Sequence, residues 1–291
     1  MAQRRTVKAV KGHGTENDFV VLADLDGLLD LTPRLVRALC DRHAGIGADG
    51  VLRVVRTELM SEEPDFKEMS ADAPYFMDYR NADGSLASMC GNGVRVFVRY
   101  LQAVGLVDRY AAVATRGGVR RTWLTDEGDV IVDMGMPLAL ADRPVVTAAS
   151  SVDHLRGVVV EMPNPHVVVS VPDRAALAEL DLSRAPLVEP SRPDGQNVEF
   201  VVRAGERHLV MRVHERGVGE TRSCGTGICA VVVAEARSDG ASSGDGTTWR
   251  VDVPGGTCHV TWRADGSIHM TGPAVLVAEI ELDPAWLAAV G

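Results

Sequence analysis

Two stretches, Cys90-Gly-Asn-Gly-Val-Arg-Val-Phe-Val (90–98) and Cys224-Gly-Thr-Gly-Ile-Cys-Ala-Val-Val (224–232), repeat one pattern: C-G-x-G followed by an apolar run, 134 positions apart. The pattern predicts two helices. One runs from Gly91 to a stop at Gly105, the other from Gly225 to Asp239-Gly240. Each is apolar over much of its circumference, so each is expected to be enclosed by other elements rather than laid on a surface. The approaches match as well, Asn81-Ala-Asp-Gly-Ser starting nine residues before the first cysteine and Glu215-Arg-Gly-Val-Gly nine before the second. Duplication is the economical reading, with two similar halves each built on one buried helix.

Outward from these helices, the chain reads as short β-branched runs punctuated by Gly, Pro, Asn and Asp: Phe19 to Leu22, Val130 to Met134, Val158 to Val160, Val167 to Val171, Val198 to Val202, His208 to Val213 and Ala274 to Ile280. A third helix is expected from Thr32-Pro33, a cap followed by Pro at the first helical position, to about Gly45. Its apolar stripe is Leu35, Val36, Leu39 and Cys40, which makes Cys40 a packing residue; Cys229, inside the second motif helix, reads the same way. The expected fold is mixed α/β (α+β): two pseudo-symmetric strand-rich halves, each a sheet or barrel around a central helix. The division expected is 1–134 plus 272–291 for the half carrying Cys90, and 135–271 for the half carrying Cys224. Residues 58–72, with six acids against one lysine, and 238–248, rich in Ser, Gly, Asp and Thr, read as solvated loops.

Composition narrows the function classes. The formal net charge is -10, from 40 acidic and 30 basic side chains, and no basic cluster stands out, which argues against nucleic acid. No apolar run reaches the roughly 20 residues of a membrane span, and the first residues lack a secretory signal's apolar core, so a cytoplasmic protein with no membrane partner is expected. Five cysteines without a CxxC pair read as reduced thiols, with no metal site. The lysines are Lys8, Lys11 and Lys67, none in a phosphate-cradle setting, which leaves pyridoxal phosphate without its Schiff-base partner.

The two motif cysteines carry the chemistry. A helix N-terminus presents N–H groups without intrahelical partners and about half a positive charge, so it binds carboxylates and favours thiolate over thiol. A cysteine of ordinary pKa about 8.5 could then ionise near neutrality. Two such ends flanking a shared cleft would set a base on one face of a carbon and an acid on the other, the requirement for inverting a stereocentre in place. Other readings stay open: Gly-flanked cysteines that only turn the chain, a dithiol redox protein, or a thiol hydrolase drafting His166 and Asn164.

At these residues the sequence resembles the diaminopimelate epimerase family, in ordered blocks: KGHGTENDFVVL (11–22), GIGADGVL (45–52), NADGSLASMCGNGVR (81–95), MPNPHVVV (162–169), NVEFV (197–201) and ERGVGETRSCGTG (215–227). The resemblance implies a cofactor-independent epimerase interconverting LL- and meso-diaminopimelate for lysine and peptidoglycan synthesis, working as a homodimer, with a related proline or hydroxyproline racemase as the alternative. By the family pattern Cys90 and Cys224 are the acid/base thiols, and His166 and Glu215 lie near the reacting centre and adjust their pKa values. Backbone around Gly91-Asn92 and Gly225-Thr226 would hold the α-carboxylate. Asn17, Asn81, Asn164, Asn197, Glu215 and Arg216 would bind substrate, Arg216 being suited to a bidentate carboxylate clamp. His13 is expected to support the site from beneath. The chain departs from the pattern at Gly50, where some members carry Gln, at Pro163, where Gly is common, and at Glu16, a position usually small.

Overall fold

In the computed structural model, residues 7–60, 64–149, 154–241 and 243–291 are described. The α-helices among them are Pro33–Cys40 (α1), Pro64–Met69 (α2), Gly91–Ala103 (α3), Arg174–Glu179 (α4), Gly225–Ser238 (α5) and Pro284–Val290 (α6). The chain divides into two compact units, Met1–Val132 with Pro273–Gly291, and Asp133–Gly272.

In the first unit the strands lie in the order Val275–Leu282, Val7–Gly14, Asn17–Ala23, Gly50–Arg56, Tyr75–Asn81, Tyr110–Ala114, Arg120–Leu124, and then the start of Val130–Gly135. From Val7–Gly14 onward, successive pairs run antiparallel, parallel, antiparallel, parallel, antiparallel, antiparallel. The second unit repeats that series of directions through Leu155–Met162, Asn164–Ser170, Asn197–Gly205, His208–Glu215, Thr248–Val253, Gly256–Trp262 and Ile268–Gly272. A short helix fills the first parallel crossover of each unit, α1 in one and α4 in the other, and the long motif helix follows the fourth strand of each series. The duplicated motif is thus part of a duplicated topology.

The motif helices are the centres of their units. α3 packs against six strands of the first unit, including Val7–Gly14, Asn17–Ala23 and Val275–Leu282, and buries Val94, Val96, Phe97, Val98 and Leu101. α5 does the same in the second unit, and Gly225 through Ala236 are all buried. All-round burial is what an apolar circumference demands, since any exposed face would leave hydrocarbon in water. Each of the seven strands read from the sequence lies within, or within one residue of, an observed strand.

Two expectations need correcting. α1 stops at Cys40, not near Gly45: Asp41 leaves helical geometry and its Oδ1 accepts the N–H groups of His43 and Ala44 at 2.8 and 2.7 Å, closing a local turn in place of another helical one. Residues 58–72 are not simply a solvated loop. Thr57–Leu59 forms a 3-10 turn and α2 follows, with Phe66 buried against Phe76 at a ring separation of 4.9 Å and Met60 beside them in a cluster with Val55, Ala73, Ala112 and Ala114. Among the described residues of this segment the charged Glu58, Asp65, Lys67, Glu68 and Asp72 are exposed while two apolar side chains pin it; positions 61–63 lie outside the described residues. In the second loop, position 242 likewise lies outside them, and 243–247 holds bends without regular structure.

Candidate active site residues

In the first unit, Cys90 caps α3 in extended geometry, and its sulfur accepts the Gly93 N–H at 3.4 Å. The Cys90 thiol faces Asn17 Oδ1 at 3.7 Å, and Asn92 Nδ2 donates to the same oxygen at 3.3 Å. Both amides are held in one orientation. Asn17 Nδ2 donates to Asp49 Oδ2 at 2.7 Å, so its carbonyl must face Cys90. At the other end the fully buried Arg95 donates to Asn92 Oδ1 at 2.6 Å, to Thr15 Oγ1 at 3.1 Å and to the Pro273 carbonyl at 3.1 Å, so the Asn92 amino group must face Asn17. These three hydrogen bonds offset part of the cost of burying the guanidinium.

Asp49 belongs to a wider charged network. Burial raises its carboxyl above the ordinary value, the Asn17 hydrogen bond opposing, while in neighbouring Asp18 the pull of Arg42 and Lys11 outweighs burial and holds the carboxyl well below it. Asn81 makes its own local contacts. It heads a turn in which its Nδ2 donates to Ser85 Oγ at 3.0 Å, and it pairs across the sheet with Gly50. At Gly50 a Cβ would come within 2.6 Å of the Arg80 carbonyl and 2.7 Å of the Tyr79 ring, so a longer side chain has no room there without moving the strand. Glu16 shares a two-residue hairpin tip with Thr15, both at positive φ (60° and 50°), which explains why small residues suit the position. His13 Nδ1 accepts the Glu16 N–H at 3.3 Å and so braces that tip.

In the second unit, Cys224 caps α5 and is buried, with Thr226 Oγ1 3.5 Å from its sulfur. The sequence expectation of an easily ionised thiol does not hold for this cysteine. Burial, and then the carboxylates of Glu215 and Glu199, push its pKa well above the ordinary thiol value, with the Thr226 hydroxyl and Gly227 amide opposing. Glu215 is itself raised by burial, against hydrogen bonds from Thr221 and Cys224. The helix N-terminal charge is outweighed by burial first and then by the two acids beside the thiol.

His166 is fully buried, its Nδ1 2.6 Å from Glu199 Oε1 and its Nε2 3.1 Å from Asn164 Oδ1. Asn197 Oδ1 accepts the Arg216 backbone N–H at 2.9 Å, fixing the start of the turn from which the exposed Arg216 side chain extends to the Asp194 carbonyl at 2.8 Å. Within their own units, then, Cys90, Asn17 and Asn92 come together, as do Cys224, Glu215, Thr226, His166 and Asn164. Sequence reasoning missed Glu199, Asp49 and Arg95. Glu199 could have been found, being an acid on the Asn197 face of a strand otherwise apolar from Val198 to Val202. Among the described residues no group of three or more His, Cys, Asp or Glu is arranged to hold a metal ion, and no helix is long and apolar enough to cross a membrane.

A duplicated strand series wrapped about a central helix is a fold with solved members. The Bacillus anthracis phenazine biosynthesis protein of the PhzF family matches with a TM-score of 0.66 at 16% identity, covering 96% of this chain and 99% of that one. A probable proline racemase from Agrobacterium radiobacter K84 matches at 0.65 and 16%, over 95% and 93%. At such identity the likeness is one of fold. Sequence is more specific: the family model described as diaminopimelate epimerase matches residues 9–139 and 158–277. The diaminopimelate epimerases of Streptomyces coelicolor and Thermobifida fusca are 54% and 48% identical, covering 97% and 94% of this chain and 97% of each relative. The chain belongs to the diaminopimelate epimerase family.

Proposed function

We propose that the chain interconverts LL- and meso-diaminopimelate without a cofactor, with Cys90 and Cys224 exchanging the α-proton on opposite faces of one carbon. The observation that carries this reading is the pair of C-G-x-G cysteines, each capping the central helix at the same point of a repeated topology, in a chain of this family.

Cys224, whose proton is held by burial and by Glu215 and Glu199, is the resting acid. Cys90, half-buried and accepting the Gly93 N–H, takes the part of base once its own proton has left. Carbanion character at the α-carbon is offset by the first-turn N–H groups around Gly91-Asn92 and Gly225-Thr226 acting on the α-carboxylate, at helix ends that favour negative charge. Reprotonation by Cys224 on the far face inverts the centre, and the reverse reaction exchanges the roles. Asn17, Asn81, Asn164, Asn197, Glu215 and Arg216 hold the substrate, Arg216 by a carboxylate. A shorter amino acid would leave such donors and acceptors unpaired, which is the basis for selecting a substrate with a second amino acid head. His166 and Glu215 tune the thiols. The family reading also carries a cytoplasmic homodimer, for which sedimentation equilibrium is the direct measurement.

The test is solvent deuterium exchange. Reduced protein without additives should incorporate deuterium at the α-carbon of LL-diaminopimelate and form the meso isomer, while Cys90→Ala and Cys224→Ala each abolish epimerisation. Turnover of proline or hydroxyproline in preference to diaminopimelate would move the chain to the racemase alternative. Full epimerisation by either alanine variant would refute the two-thiol scheme.

A further inference from the structure

Glu199 neither gives nor takes a proton in the two-thiol scheme, yet it is an ionisable side chain with 0% exposure on a core strand. A carboxylate in such a place is costly unless it is paired. Its Oε1 lies 2.6 Å from His166 Nδ1, and its Oε2 has no hydrogen-bond partner among the described residues. The carboxylate also abuts the first turn of α5, where a Cβ on Gly227 would come within 2.6 Å of Oε1. The positive end of that helix offsets part of the burial cost. The strand, the histidine and the helix glycine therefore converge on one acid, and the imidazole is its sole hydrogen-bond partner among the described residues.

We propose that Glu199 is a positioning residue for His166, holding hydrogen on Nδ1 so that Nε2 is the ring nitrogen left to exchange a proton with the site. A contact of 2.6 Å between a carboxylate and an imidazole contains one hydrogen, and an ionised carboxylate can only accept it, so the hydrogen belongs to Nδ1. The same bond prevents the ring from turning over. Nε2 faces Asn164 Oδ1 at 3.1 Å, an acceptor that takes a hydrogen bond from Nε2 when that nitrogen is protonated, so the proton that Nε2 gains and loses lies on the Asn164 side. This inference rests on the epimerase reading only where it assigns His166 a task in turnover; the tautomer itself is a property of the resting protein.

The experiment is nitrogen NMR of the full chain carrying labelled histidine, at neutral and alkaline pH, with the His166 signals assigned by their loss in His166→Gln. Wild-type His166 is expected to keep a protonated Nδ1 throughout. In the isosteric Glu199→Gln variant an amide N–H can face Nδ1 instead, so the Nε2–H tautomer should appear, with kcat lower by about 10- to 100-fold and KM within about twofold. Glu199→Asp, which keeps an acceptor, should restore the Nδ1–H form and part of the turnover. A wild-type His166 with an unprotonated Nδ1 would overturn the inference, as would Glu199→Gln with wild-type tautomer and turnover. If the glutamine variant fails to fold, the wild-type spectrum decides alone. An Nδ1–H His166 in protein that exchanges no deuterium into diaminopimelate would instead remove the epimerase reading and leave the His166–Glu199 assignment standing.

Discussion

Gly93 and Gly227 stand at the same place in the two copies of the motif, but a methyl group added to each meets different surroundings. At Gly93 the new Cβ would lie 3.3 Å from Leu52 Cδ2, 3.4 Å from Cys90 Cβ and 3.6 Å from Phe19 Cζ, a tight fit among hydrocarbon that small shifts can relieve. At Gly227 it would lie 2.6 Å from Glu199 Oε1 and 3.2 Å from the next two carbons of that side chain, which is buried and tied to His166. Both glycines are helical, so alanine gains about 1 kcal/mol at either site from backbone entropy. For Gly93→Ala that gain roughly cancels the crowding, leaving stability within about 0.5 kcal/mol of wild type. For Gly227→Ala, overpacking costs about 1–3 kcal/mol and weakening a charge-assisted hydrogen bond about 1.5–3, which with the backbone gain subtracted leaves a net loss of about 1.5–5 kcal/mol. In thermal unfolding followed by circular dichroism this is a midpoint lower by roughly 3–20 °C, at about 2–4 °C per kcal/mol. A Gly227→Ala protein that melts as high as Gly93→Ala would refute the close approach of Glu199 and the reasoning built on it.

Iodoacetamide at pH 8 should label Cys90 ahead of Cys40 and Cys224, because burial pushes the Cys40 thiol to about 12 and burial with two carboxylates raises that of Cys224, while Cys90 is half-exposed; peptide mapping that finds Cys224 modified first would contradict this. Glu16→Asn places a residue that tolerates φ near +60° at the hairpin tip and should raise stability by about 0.5–1 kcal/mol in denaturant unfolding, with no gain expected if the tip were unstrained. Asp252 is held at about 2, burial being outweighed by Arg250, His208 and Thr257. A folded pKa below the unfolded one gives stability that is complete above the ordinary carboxylate value and is lost as pH falls toward 2. Asp252→Asn should therefore be less stable than wild type at pH 7, with the gap closing between pH 4 and pH 2; a gap independent of pH would remove the Asp252 network as its cause.

The strand-rich fold and its two central helices were legible because an apolar circumference in a long helix and short β-branched runs between turn residues each have one outlet, burial. α6 carried a readable signal of the same kind as α1, Asp283-Pro284 against Thr32-Pro33, with Asp283 Oδ1 accepting the Ala285 and Trp286 N–H groups. It was missed with α4 and α2 because each spans no more than seven residues, too few for periodicity to show. The cysteines and amides of the site could be named from motif and family pattern. What fixes their orientation could not: Asp49 reaches Asn17 across 32 positions and Glu199 reaches His166 across 33, and pairing at such range is set by strand order. The failed expectation for the Cys224 thiol has the same origin. A helix end is visible in sequence, whereas the burial of the thiol is set by packing and Glu199 arrives from another strand.

The helical excursion through α2 behaves as a hatch battened onto the sheet by Phe66 and Met60. Cutting it back to a short connector, as its charge would tempt a protein engineer to do, would lay bare Val55, Phe76, Ala112 and Ala114 together. An oily window of that kind invites self-association, so a trimmed chain would be expected to lose solubility before it lost its fold.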